Sequence, residues 1–334
     1  MTEPNVTEPP TDLPTHDDVR AARARIAGRT VHTPLLRHPL LDELTGGTIL
    51  LKPEPLQRTG SFKFRGATNA VLQLTEAQRR AGVVTHSSGN HGQAVACAAA
   101  SAGARATVFM PRDAPRIKQD STARWGADIR HYNRDTDDRE GLAHGFAEQT
   151  GASLVPPFDH PHVIAGQGTL ALELSDDAAA AGLTMDALLV CTGGGGLIAG
   201  CALAMEGASP GTKLYCVEPE GWNDTARSLA AGERVANPPG GSVLCDALLA
   251  RMPGKLTFAI NQPRLAGGVA VTDAEVLAAI AFAFLHLKLV VEPGGAVCLA
   301  ALLAGKFDAR DRVVGAVLSG GNVDPAVFAR ALAG

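Results

Sequence analysis

Apolar positions along the chain fall into two recurring patterns. Short, continuous apolar runs at 81–85, 106–110, 187–191, 213–217 and 313–318 read as strands. Between them lie Ala- and Leu-rich stretches with helical spacing: Val19, Ala22 and Ile26 near the start, then roughly 92–102, 115–125 and 197–205. Strands that are apolar throughout and separated by helices predict an α/β fold with a parallel sheet covered on both faces. Residues 1–16 carry Pro4, Pro9, Pro10 and Pro14 with few apolar positions and are expected to be disordered or loosely docked. The block 81–159 has its own strand–helix alternation. It is expected to be a smaller α/β domain set into a larger one made of 17–80 and 160–334. Glycine and proline spacing shows no solenoid period.

Composition narrows the function classes. Apolar residues make up 46% of the 334 and charged residues 19%, which is globular. The net charge is −4, and five acids with no Lys or Arg fall within residues 1–18, so the remainder holds 30 basic against 29 acidic residues. That balance argues against nucleic acid or an anionic membrane as the partner. Six scattered cysteines (Cys97, Cys191, Cys201, Cys216, Cys245, Cys298) form no C-x-x-C pair, and buried reduced thiols are expected. The longest apolar runs are too short for a membrane helix, and MTEPNVTEPP has no basic region followed by a hydrophobic stretch. A cytoplasmic protein is expected.

Glycine is in excess, 37 of 334 or about 11%, against a usual ~7%. Four polar, glycine-bearing segments follow strands or open helices: S-F-K-F-R-G-A (61–67), S-S-G-N-H-G-Q (87–93), T-G-G-G-G-L (192–197) and S-G-G-N-V-D (319–324). Ligands of open α/β sheets bind beyond the carboxyl ends of the strands, so these loops are expected to converge. Four consecutive glycines ahead of a helix let several backbone N–H groups meet one anion, helped by the helix dipole. The segment is neither a nucleotide P-loop nor a dinucleotide fingerprint. Lys63, between Phe62 and Phe64 near a helix start, should have a lowered pKa, as imine-forming lysines require. A phosphate cradle with a poised lysine points to pyridoxal 5′-phosphate.

Together, in this order, the four segments resemble the fold-type II pyridoxal-phosphate enzymes (tryptophan synthase β-like), and within them the serine/threonine dehydratase and serine racemase group. The resemblance runs from about Asp17 to the C-terminus. It implies that Lys63 carries the cofactor, Phe62 stacks on its ring and Asn90 bonds its phenolic oxygen. Gly193, Gly194, Gly195, Gly196 and Leu197 would offer amides to its phosphate. Glu292, in an E-P-x-G-A stretch, would lie near the cofactor, and Ser319 would meet the pyridine nitrogen. The loop of Ser87, Ser88, Asn90 and His91 would take the substrate carboxylate. Ser88 is either a second base on the opposite face, as in racemases of this group, or a hydroxyl that orients substrate. Arg139 either approaches a substrate's distal carboxylate from a mobile small domain or sits on the surface, paired with Asp135 or Asp138.

A divalent cation (Mg²⁺, Mn²⁺ or Ca²⁺) is also implied, held by Glu218, the Trp222 carbonyl and Asp224; the family usually has a small residue where Trp222 stands. The segment Asp159, His160, His162 reads as a rigid, structural loop. The resemblance implies a homodimer whose partner is otherwise a small amino acid. The expected activity is β-elimination, removing water and ammonia from threonine, serine or 3-hydroxyaspartate to leave a 2-oxo acid. The alternatives are an amino-acid racemase using Lys63 and Ser88, or an inactive cofactor-binding sensor.

Overall fold

The computed structural model describes residues 13–87, 89–114, 116–133 and 136–334. Most of the expected extension, and Ser88, therefore lie outside the described residues. Nine strands among them form two fully parallel sheets. The larger has the order β1 (Thr48–Pro53), β9 (Val313–Leu318), β6 (Ala187–Cys191), β7 (Lys213–Pro219) and β8 (Leu265–Val271). The smaller has the order β4 (Asp128–Tyr132), β3 (Ala106–Pro111), β2 (Val83–His86) and β5 (Ser153–Leu154).

β6 is buried at every position and β9 at all but its first, as their unbroken apolar runs imply for strands covered on both faces; β1, which the runs did not mark because Lys52 interrupts it, is buried in the same way. β8 gave no such run, because Gly267 and Gly268 interrupt it at the sheet edge. The run at 81–85 becomes a strand only from Val83. The helix Glu76–Ala81 ends first, at Gly82, whose φ of 97° suits glycine. The early helix His16–Ile26 does bury Val19, Ala22 and Ile26, and a Thr15–Asp18 capping box starts it.

Chain order in the larger sheet positions the site. β9 returns last and inserts between β1 and β6, so the segments after these three strands leave neighbouring carboxyl ends. Those segments contain Lys63, Ser319 and the four glycines. Part of the glycine excess serves packing instead. A Cβ on Gly200 would lie 2.3 Å from the Ile164 carbonyl oxygen, and one on Gly166 would lie 2.6 Å from the Gly66 Cα. The helices Lys63–Leu72 and Gly196–Ala208 both close tightly on Pro161–Ala180 through these positions.

Candidate active site

One cavity is lined by residues from all four motif segments, with Phe62, Lys63, Asn90 and Ser319 among them. Lys63 begins the helix Lys63–Leu72. Its Nζ lies 5.1 Å from the Phe62 ring centroid and donates to the Pro157 carbonyl at 2.7 Å. Burial lowers its pKa to about 8, against the opposing pull of Glu292. The downward direction was expected; of the two flanking aromatics, Phe62 stands beside the amine and Phe64 does not. Phe64 faces a separate core with Ala67, Val71 and Val95.

The glycine loop is held from behind. Thr257 Oγ1 donates to the Gly194 carbonyl at 2.7 Å, and Asp159 caps the helix Lys255–Asn261 by accepting from the amides of Lys255 and Thr257. In a trans peptide the N–H points opposite to the C=O. Fixing the Gly194 carbonyl outward therefore turns the Gly195 amide inward, at the start of the helix Gly196–Ala208. Gly195 has φ +89°, and a Cβ on Gly194 would lie 2.4 Å from the Phe158 ring. The donors suit an anion, and any side chain would crowd them. Leu197 lies in the first turn behind them and is buried.

Asn90 joins the two sheets. Its Nδ2 donates to Glu292 Oε1 at 2.5 Å, and its Oδ1 accepts from Asn322 Nδ2 at 2.7 Å. Glu292 is buried, and burial followed by the nearness of Asp246 raises its pKa to about 7. Ser319 accepts the Phe62 amide at its carbonyl, 3.0 Å away, which ties the lysine segment to the end of β9. Ser87 Oγ accepts from the Gly89 amide at 3.2 Å. His91 is buried, its Nε2 meeting the Val155 carbonyl at 2.9 Å, and burial with the charge of Lys63 lowers its pKa to about 3. A neutral ring with its proton on Nε2 leaves Nδ1 as an acceptor. Arg139 begins the helix Arg139–Thr150 and lines the cavity, and its charge also reaches His86.

Sequence reasoning missed Pro157 and Phe158. They belong to the loop classed as structural, yet one receives the lysine amine and the other backs the glycines. An aromatic between two prolines, Pro157 and Pro161, was the available signal. Lys118, which forms an ion pair with Asp246 across the cavity, was not singled out either.

Glu218, Trp222 and Asp224 lie away from this cavity, at the end of β7 and the start of the helix Asp224–Ala231. Both carboxylates are fully buried, and Asp224 Oδ2 has no hydrogen-bond partner. Glu218 accepts from the amides of Thr225 and Ala226 at 2.9 Å. No group of three or more His, Cys, Asp or Glu side chains able to hold a metal occurs among the described residues. The six cysteines are free and buried. No helix among the described residues is long and apolar enough to cross a membrane.

These features define a cofactor-dependent α/β enzyme whose site combines a lysine with an anion cradle. The pyridoxal-phosphate dependent enzyme family matches residues 26–320, and the chain belongs to that family. It is 42% identical to an L-threo-3-hydroxyaspartate ammonia-lyase of Saccharomyces cerevisiae, over 96% of this chain and 97% of that one. It is 41% identical to a serine racemase of Schizosaccharomyces pombe, over 93% and 95%. Among solved structures, maize serine racemase superposes with a TM-score of 0.90 at 34% identity, covering 96% of this chain and 98% of that one. The fold-type II architecture expected from the motifs is the fold of this protein.

Proposed function

We propose that this protein is a pyridoxal-phosphate ammonia-lyase that eliminates water and ammonia from a β-hydroxy amino acid, and that 3-hydroxyaspartate is its preferred substrate class. The observation that carries the reading is the convergence of Lys63, Asn90, Ser319 and the glycine loop on one cavity; the lyases among its relatives supply the reaction class. The cofactor, when bound, supplies an electron sink for the substrate's α-carbon. Lys63 would hold it covalently, and the amides around Gly195 would hold its phosphate. Phe62 would cover one face of the ring, Asn90 would meet its phenolic oxygen, and Glu292 would lie beside it. The Ser319 hydroxyl would meet the ring nitrogen without protonating it.

Lys63 Nζ, with its lowered pKa, is suited to take the α-proton. Ser87, Asn90 and His91 would orient the substrate carboxylate, and Ser88 would either join them or serve as the second base of a racemase. Arg139 on the cavity wall supports a substrate with a second carboxylate. Lys63→Ala should abolish both the bound cofactor's visible absorbance and 2-oxo acid release. If either persists, the assignment is wrong. Chiral analysis of the same reactions tests the racemase reading, which the racemase relatives favour.

Glu218, the Trp222 carbonyl and Asp224 would hold a divalent cation. Two buried carboxylates, one with an unpartnered oxygen, fit an oxygen-coordinated ion completed by water. Burial, and then the nearness of Asp224, raise Glu218 to about 8, and the ion would offset both. Adding Mg²⁺, Mn²⁺ or Ca²⁺ to chelator-treated protein should raise its melting temperature, and Asp224→Asn should erase the rise. An unmoved melting temperature for all three ions excludes the site. Exposed Phe284, Leu285 and Val290 on one short segment support a homodimer. A cytoplasmic setting, which suits six free and buried thiols, completes the reading.

A further inference from the structure

Among the described residues, three cations line the cavity: Lys63, Arg139 and Lys118. The first two have roles above. Lys118 comes from the helix Arg116–Ala123 beside the smaller sheet, and only 12% of its side chain is exposed. Its ammonium forms an ion pair with Asp246, which belongs to the short turn Asp246–Leu248 of the opposite wall and is 45% exposed. Nζ stands 3.9 Å from where a Cβ on Gly89 would lie, so it sits above the loop assigned to the substrate carboxylate. Its charge also acts on the buried Glu292. The ammonium therefore projects into the reaction space.

An ammonium so enclosed needs a carboxylate close by, because an unpaired charge out of water is costly. With no substrate present, Asp246 meets that need from a more exposed position, where its own release into water costs little. A substrate bearing a second carboxylate can take the place of Asp246 and leave the charge balance at Lys118 unchanged. A serine or threonine side chain cannot do so. The α-carboxylate, common to all these substrates, already has the donors of the Ser87–His91 loop.

We propose that Lys118 is a specificity-determining residue that holds the distal carboxylate of a dicarboxylic amino acid, and that Asp246 is the internal stand-in this carboxylate displaces. The proposal rests on the lyase reading for its natural substrate, 3-hydroxyaspartate, but its test does not. L-aspartate and L-alanine lack a β-hydroxyl and differ by the second carboxylate. Titrating each into the cofactor-loaded enzyme and following the cofactor's absorbance gives their dissociation constants without turnover. A charge-assisted contact of this kind corresponds to about a 10- to 100-fold preference. Wild type should bind aspartate at least about tenfold more tightly than alanine. Lys118→Met should cut the preference at least about threefold, leaving only what Arg139 contributes, and Lys118→Arg should keep most of it. Asp246→Asn should tighten aspartate while leaving alanine in place. Equal weakening of both ligands by Lys118→Met, loosening of both by Asp246→Asn, or a wild type without the preference would each overturn the proposal. If the wild type releases 2-oxo acid from none of the β-hydroxy amino acids, the lyase reading falls, while these binding ratios still decide the role of Lys118.

Discussion

At the scale of single residues, the site's chemistry depends on how the protein sets two opposite charges against burial. Removing water from around Lys63 favours its neutral amine and lowers its pKa to about 8. The same physics raises Glu292 to about 7. Each group also acts on the other, because an ionised Glu292 favours an ionised Lys63. Only the neutral amine can attack the cofactor's aldehyde. The rate of loading pyridoxal phosphate into the empty protein should therefore climb through a midpoint near pH 8, rather than near the ordinary lysine value of 10.5. Glu292→Gln removes the anion that favours the ammonium, so the midpoint should move to lower pH. Stopped-flow absorbance across pH 6–10 measures both, and a midpoint near 10, or one shifted upward in the variant, would contradict this account. The lysine and its direction of shift were legible in the sequence, since S-F-K ahead of a helical pattern singles out Lys63. The cause was not. Whether Phe64 faces the amine or a separate core depends on packing against Val71 and Val95, which no local pattern reveals.

At the scale of elements, the helix Lys63–Leu72 has to present its first residue accurately, and a buried ionic network fixes it. Arg65, fully buried, pairs with Glu54 at 2.8 Å and Glu173 at 2.7 Å. Glu173 in turn pairs with the buried Lys52 at 2.8 Å. Burial alone would lower the Arg65 pKa, but its two carboxylates overcome that and raise it. The network joins β1, the turn Glu54–Leu56, the lysine helix and the helix Pro161–Ala180. Removing one partner leaves the others charged and out of water, at a cost of about 3–5 kcal/mol. Arg65→Met should lower the unfolding free energy by that amount, as read by denaturant titration, with cofactor affinity falling as Lys63 loses its anchor. A loss under about 1 kcal/mol would mean the network is incidental. The sequence displayed the loops because their glycines and polar residues break an apolar pattern. It hid this network, whose members at 52, 54, 65 and 173 are brought together only by folding. It hid Pro157 and Phe158 for the same reason: their role exists only where the chain returns from the smaller sheet to the larger one.

At the scale of the whole molecule, the cavity lies where two parallel sheets with unequal cores meet. The larger sheet is covered by one continuous cluster that includes Leu50, Val190, Leu203 and Val317. The core of the smaller sheet is split: Val84, Phe109, Tyr132, Ala143 and Ala152 form one cluster, Val108, Met110 and Ala114 a second, and a third joins Val83 and Ala106 to Val95 and Ala98. Local opening free energy follows buried apolar contact, so the smaller sheet should open more readily than the larger. Its outer strand β4 is mostly unburied, and β5 is only two residues long. Across the cavity the two sides are linked by polar contacts: Asn90 with Glu292 and Asn322, and Lys118 with Asp246. A ligand in the cavity would touch both walls and add links that the empty protein lacks. It should therefore stabilise the side with less of its own core. Hydrogen exchange followed by mass spectrometry should show faster exchange in peptides covering β2 to β5 than in those covering β1, β6 and β9. Adding pyridoxal phosphate and then L-aspartate should slow the first group progressively and leave the second almost unchanged. Equal protection of both sheets in the empty protein, or slowing confined to the larger one, would show that the molecule moves as a single body and that the proposed division near residues 81 and 159 has no dynamic meaning.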